Sequence, residues 1–125
     1  TLDDQITLSL SLPATNFSLE IDPDLMSQVM INLLKNAREA IESGSAESGA
    51  IEIVVTNGHS TIITISDNGP GMTREVEDKM FVPFFTSKTN GSGIGLSLVK
   101  QIVQLHRGKI SAARVDHRTV FSIEI

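Results

Sequence analysis

At residue 22 the hydrophobic period of this chain changes. Upstream, "QITLSLSLP" (5–13) and "FSLEI" (17–21) alternate apolar and polar side chains, as half-buried strands do. Pro13 and Asn16 lie between them, so the two are expected to pair as a hairpin. From 22 to 43, in "DPDLMSQVMINLLKNAREAIES", apolar residues recur every three to four positions at Met26, Met30, Leu33, Ala37 and Ala40 or Ile41. That period belongs to an amphipathic helix. Asp22 suits its N-cap and Pro23 its first position, and Gly44 with the small polar run "GSAESG" (44–49) ends it. Period two returns in "AIEIVVTNG" (50–58) and "STIITISDNG" (60–69), joined at Asn57–Gly58 as a hairpin. "TREVEDKMF" (73–81) reads as a short helix, Gly95 to His106 as a second long one, and "GKISAARVD" (108–116) with "TVFSIEI" (119–125) as a closing hairpin. Blocks in this order specify an α+β arrangement: a mixed or antiparallel sheet with helices on one face. They argue against a doubly wound dinucleotide fold. The glycine-rich "GSGIGL" (91–96) is also far from the first strand, where a dinucleotide fingerprint would lie.

The 125 residues fit one domain, 1–125, and the first residue is Thr rather than Met, as expected of a piece of a longer chain. No apolar run approaches the ~20 residues of a membrane span, and "TLDDQITLSL" lacks the basic start of a signal peptide. The absence of cysteine excludes disulfides and thiolate metal sites. A net charge of −5 argues against a nucleic-acid-binding face, so no nucleic-acid partner is expected. A small anionic ligand remains compatible, because backbone amides and a few cations can hold a phosphate locally.

Four stretches carry chemistry. On the first long helix, Gln28, Asn32, Asn36 and Glu39 form a polar stripe at spacings of four, four and three. Mid-helix asparagines are poor helix formers, so the stripe is either a tolerated polar edge or a set of oxygens facing a cation or ligand. In "SDNGPGM" (66–72) an acid ends an apolar strand and two glycines follow two apart. This is either a plain turn or a base-recognition site, in which a carboxylate accepts from an exocyclic amine and glycines admit a flat ring. "MFVPFFTSK" (80–88) gathers three of the five aromatic residues, Phe81, Phe84 and Phe85, as a satellite core or as the anchor of a lid tipped by Lys88. "GSGIGL" precedes a helix and suits a turn or a phosphate loop.

"NLLKNAREA" (32–40), "DNGPGM" (67–72), "FVPFF" (81–85) and "GSGIGLSLVKQIV" (91–103), in that order, resemble the catalytic, ATP-binding domain of bacterial sensor histidine kinases. That family sits in the wider superfamily that includes gyrase and MutL. The resemblance covers about residue 5 to 125. It implies a Bergerat (GHKL) fold, a two-layer sandwich with a mixed, mostly antiparallel sheet, helices on one face and a mobile ATP lid over about residues 72–94. It implies ATP and Mg²⁺ as cofactors. Asp67 is similar to the adenine-binding acid, Asn36 to the magnesium ligand, with Asn32 its partner, and Gly69 and Gly71 to the turn under the base. Gly91, Gly93 and Gly95 resemble the loop along the phosphates, Lys88 a residue reaching the β- or γ-phosphate, and Thr119 a hydroxyl assisting Asp67 through water. Met72, Phe81, Ile94 and Leu96 complete the implied ATP site. Asn32, Asn36 and Lys88 are its implied catalytic residues.

Two positions refine the resemblance. Hydrolysing members carry a glutamate where this chain has Asn32, and an amide is no general base near neutral pH. Many sensor kinases carry a basic residue where this chain has Glu39, which resembles the nitrogen-regulation branch. Glu39 is expected to pair with Lys35 on the helix surface, or alternatively to orient metal-bound water. No stretch resembles the phosphoacceptor motif, and His59, His106 and His117 are expected in surface or capping roles. The implied partners are a separate dimerisation domain bearing the phosphoacceptor histidine and a downstream response regulator. The chain alone is then expected to be monomeric, its parent a homodimer, cytoplasmic or anchored in the inner membrane. The alternatives are an ATPase clamp of the gyrase or MutL kind and a non-catalytic ATP-sensing module.

Overall fold

A computed structural model describes residues 6–44, 48–85 and 95–125. The elements are β1 (Ile6–Ser11), α1 (Pro23–Ser43), β2 (Gly49–Asn57), β3 (Thr61–Asp67), α2 (Arg74–Lys79), α3 (Gly95–Leu105), β4 (Lys109–Val115) and β5 (Arg118–Glu124). The five strands form one sheet in the order β1-β2-β3-β5-β4, with β1–β2 parallel and the other pairs antiparallel. This is the mixed, mostly antiparallel sheet of the expected sandwich. None of the described helices is long and apolar enough to cross a membrane.

The start of α1 is set locally. The Asp22 side chain accepts from the backbone N–H of Asp24 (3.0 Å) and Leu25 (3.1 Å), and Pro23 occupies a first-turn position that needs no N–H. The buried stripe is Met26, Val29, Leu33, Ala37 and Ile41. Val29 replaces the expected Met30, which lies to one side and is partly buried. Helix α1 packs on β2, β3 and α3, and α3 packs on β4. The core between the layers joins Leu33, Val29, Val99, Ile102 and Val103 of the helices to Ile51, Ile53, Ile65, Phe121 and Ile123 of the sheet.

The hairpin expected between 5–13 and 17–21 does not form. Residues 17–21 carry no strand, and β1 runs parallel to β2 from Ile6↔Gly49 to Ser11↔Val54. Helix α1 is long enough to make the crossover a parallel pair requires. Residues 17–21 instead approach α1, with Ile21 packed against the core. The backbone N–H of Asp22 donates to Nε2 of His106, 3.0 Å away, while Nδ1 of His106 lies 2.8 Å from the carbonyl of Ile102. His106 therefore ties the start of α1 to the end of α3, which is the capping role expected of it. The other histidines also lie in connections. His59 is in the β2–β3 loop, and His117 with Asp116 forms the β4–β5 turn at positive φ (66° and 49°), as a two-residue hairpin turn requires.

Candidate functional site

The helix-facing side of the sheet is built in rows. Leu10, Ile53, Ile65, Phe121 and Ala112 form one row across all five strands. The next row is Leu8, Ile51, Asp67, Thr119 and Arg114. Side chains in register on neighbouring strands share a face. The apolar surface thus turns polar at one end of β3, β5 and β4.

Asp67 is 2% exposed and Thr119 beside it 6%. The carboxylate Oδ1 of Asp67 accepts from the backbone N–H of Gly69 at 2.9 Å. Burial pushes the Asp67 carboxyl above its ordinary value, and the Gly69 N–H and the charge of Arg118 offset part of that rise. A carboxylate holds about four lone-pair sites, so the Gly69 contact leaves acceptor capacity for an incoming donor.

Gly69 is glycine because nothing larger fits. A Cβ there would lie 2.9 Å from the carbonyl carbon and oxygen of Ala40 and 3.0 Å from Asp67 Oδ1. Gly71 has φ +83°, a left-handed conformation that favours glycine. Pro70 rests on the end of α1, with its Cδ 3.0 Å from a Cβ placed on Gly44. Asn68 pins the turn to β2. Its Oδ1 accepts from Ala50 N–H (2.8 Å), its Nδ2 donates to Ser48 O (3.1 Å), and its own N–H donates to Ala50 O (3.2 Å).

Ala40 is the link to the asparagines. Asn36 lies one turn before it and Asn32 two turns before it, about 6 and 12 Å along α1. Both asparagines are partly exposed, on the flank of α1 that runs away from the Gly69 turn. Among the described residues no group of three His, Asp or Glu could hold a metal. A hard cation beside this flank would draw on amide oxygens, water and ligand phosphates, a donor set that suits Mg²⁺.

Of the remaining expected residues, Met72 and Phe81 pack against the core. The Phe81 ring meets Phe121 edge-on at 6.4 Å and has Lys100 Nζ 5.7 Å from its centroid. Phe84 does not anchor this stretch: it is 76% exposed, at φ 67°. Gly95 opens α3, with open space where a Cβ would be, and Leu96 packs partly buried beside it. Lys88, Gly91, Gly93 and Ile94 lie outside the described residues, as does the 86–94 part of the expected lid.

Sequence reasoning missed Asn68 and Arg114. Asn68 gave no signal beyond its turn propensity. Arg114 gave one: it continues the alternation Ile110, Ala112, Arg114, and so belongs on the helix-facing side.

The molecule is an α+β domain with a buried acid at a glycine turn, beside a helix bearing two mid-helix asparagines. The chain belongs to the histidine kinase-, DNA gyrase B- and HSP90-like ATPase family, whose profile matches residues 21–125. It is 41% identical over 101 residues to the C4-dicarboxylate transport sensor protein DctB of Rhizobium meliloti, covering 80% of this chain and 16% of that protein. It is 32% identical over 120 residues to the sensor histidine kinase ZraS of Salmonella typhimurium, covering 95% of this chain and 25% of that protein. The chain thus spans a quarter or less of the length of these two relatives. Among solved structures, the catalytic domain of histidine kinase ThkA superposes with TM-score 0.85 at 31% identity, covering 98% of this chain and 81% of that one. The fold is that of a histidine kinase catalytic domain, and ATP is the ligand that family membership implies.

Proposed function

We propose that this domain binds Mg·ATP between the Asn32–Asn36 flank of α1 and the 72–94 segment, and donates the γ-phosphoryl group to a histidine on a separate dimerisation domain. The observation that carries this reading is Asp67, 2% exposed with Oδ1 on the Gly69 N–H, at a turn with no room for a Cβ against α1. Asp67 accepts from the adenine amine, and the same acid disfavours the carbonyl that guanine presents there. Thr119 supports Asp67 through water. Asn36 and Asn32 would hold the metal, which would neutralise phosphate charge when bound. Lys88 and the glycines 91, 93 and 95 line the phosphates, where backbone amides at the start of α3 complement negative charge. A neutral imidazole nitrogen forms the new P–N bond as the bond to the β-phosphate oxygen breaks and ADP leaves with that electron pair. Catalysis is then positioning and charge neutralisation.

Asn32 supports a kinase over an ATPase clamp, because no general base stands at that point on α1 to prime water. The relatives named as sensor histidine kinases support the same assignment, and a structure of ThkA bound to the response regulator TrrA, similar at 29% identity and TM-score 0.76, supports a response regulator as downstream partner. On this reading the parent is a homodimer whose kinase domain works in the cytoplasm, whether or not it is anchored in the inner membrane.

The test supplies γ-labelled ATP and a histidine-bearing dimerisation domain from a related sensor kinase. Label should move to that histidine in the presence of Mg²⁺, and not in its absence. Steady release of inorganic phosphate with no label on the acceptor would overturn the kinase reading in favour of the clamp. No binding of Mg·ATP at millimolar concentration would remove both.

A further inference from the structure

The turn 69–71 is held from two sides. On the α1 side, Gly69 abuts the backbone of Ala40 and Pro70 abuts Gly44. On the other side stands Arg114 of β4. A Cβ on Gly71 would lie 3.1 Å from Arg114 Nε, 3.5 Å from Cδ and 3.6 Å from Cζ, so the guanidinium and its stem lie across the Gly71 backbone. Arg114 reaches this place through sheet register. It pairs with Thr119, which pairs with Asp67, and the three share one row on the helix-facing side. Two strand spacings, about 10 Å, separate the Arg114 and Asp67 backbones, a gap that an arginine side chain spans most of the way.

We propose that Arg114 is a positioning residue for the base half of the nucleotide: it fixes the far end of the Gly69–Pro70–Gly71 turn and so sets how the base meets Asp67. This rests on the ATP reading above. Gly71 sits at φ +83° with no side chain to restrain it, and the planar guanidinium supplies the restraint. Lysine offers charge without that flat surface. The role is therefore one of shape, and charge alone does not replace it.

The experiment measures ATP, ADP and GTP affinity, each with and without Mg²⁺, for the wild-type domain and for Arg114→Ala, Arg114→Lys and Gly71→Ala, with a thermal melt of each free protein. Arg114→Ala should weaken ATP and ADP by the same factor, roughly five- to thirtyfold for the loss of one such contact, with or without metal. It should narrow the preference for ATP over GTP while the melt of the free domain changes little. Arg114→Lys should restore little of the loss. Gly71→Ala should also weaken ATP and ADP alike, but with a lower melt, because alanine is strained at φ +83°; the double variant should lose less affinity than the sum of the two. Unchanged affinity in Arg114→Ala, a loss confined to ATP with Mg²⁺, or full rescue by lysine would each overturn the proposal. Wild-type protein that binds no ATP would overturn both it and the reading beneath it, whereas wild-type binding with unaffected variants defeats this inference alone.

Discussion

Asp67 is a carboxylate kept where a carboxylate is costly. Burial raises its native value above the 3.8 of an unfolded aspartate. Just above pH 3.8 the native state therefore holds a proton that the unfolded chain has released, so stability falls as pH rises through that window. At neutral pH the ionised acid disfavours the free fold. Asp67→Asn keeps an oxygen to accept from Gly69 N–H and removes the charge. Its denaturant midpoint at pH 7 should equal or exceed the wild type's, with a flatter pH dependence just above 3.8. ATP affinity should drop by more than about tenfold, the scale of one hydrogen bond to a charged group. A variant that melts earlier and binds ATP as before would reverse both assignments. Gly69 and Gly95, two of the glycines assigned to the proposed site, make a matched pair. Gly69→Ala drives a methyl to 2.9 Å from the Ala40 backbone and should destabilise the free domain by about 1–3 kcal/mol. Gly95→Ala meets open space and should leave the melt unchanged or slightly raised, with ATP binding weakened if the loop serves the phosphates. Unaltered affinity in Gly95→Ala would make it only the start of a helix. Asp67 and the glycines were legible because strand, acid and turn are adjacent in sequence. The Asn68–Ala50 and Arg114–Gly71 contacts were not, because the partners lie on other elements, although alternation does mark the face that Arg114 occupies.

The long helices are the elements the sequence described best. Helix α1 begins at the N-cap that Asp22 and Pro23 mark, and its polar flank keeps Asn32, Asn36 and Ala40 in one line. Residues 17–21 are the counterexample. Their alternation is that of a strand, but β1 takes β2 as its neighbour, and residues 17–21 lead into α1 instead. A period of two specifies a face, and the pairing partner is settled by which backbone edge arrives beside it. The His106 clasp follows from that route. His106→Ala removes the acceptor for Asp22 N–H and should lower stability by about 1 kcal/mol in a denaturant titration. An unchanged midpoint would mean that water replaces the imidazole at no cost.

For the molecule as a whole, the proposed chemistry is restraint. The domain should hold ATP without consuming it, since the site offers an amide at residue 32 where a general base would be needed to prime water. Steady-state phosphate release by the domain alone should stay at the level of a protein-free control, and Asn32→Glu should raise it. A wild-type turnover well above that control would place the chain with the hydrolysing members of its family. The α+β class, the N-cap of α1, the two later hairpins and the glycine turn after Asp67 were all determined by the sequence, because caps, turns and periodicity act over a few residues. The tertiary structure alone decided that β1 runs parallel to β2, that Asn68 locks the turn to β2, and that Arg114 lies over Gly71. Each of these depends on a partner brought close by sheet register and helix packing, which no local pattern encodes.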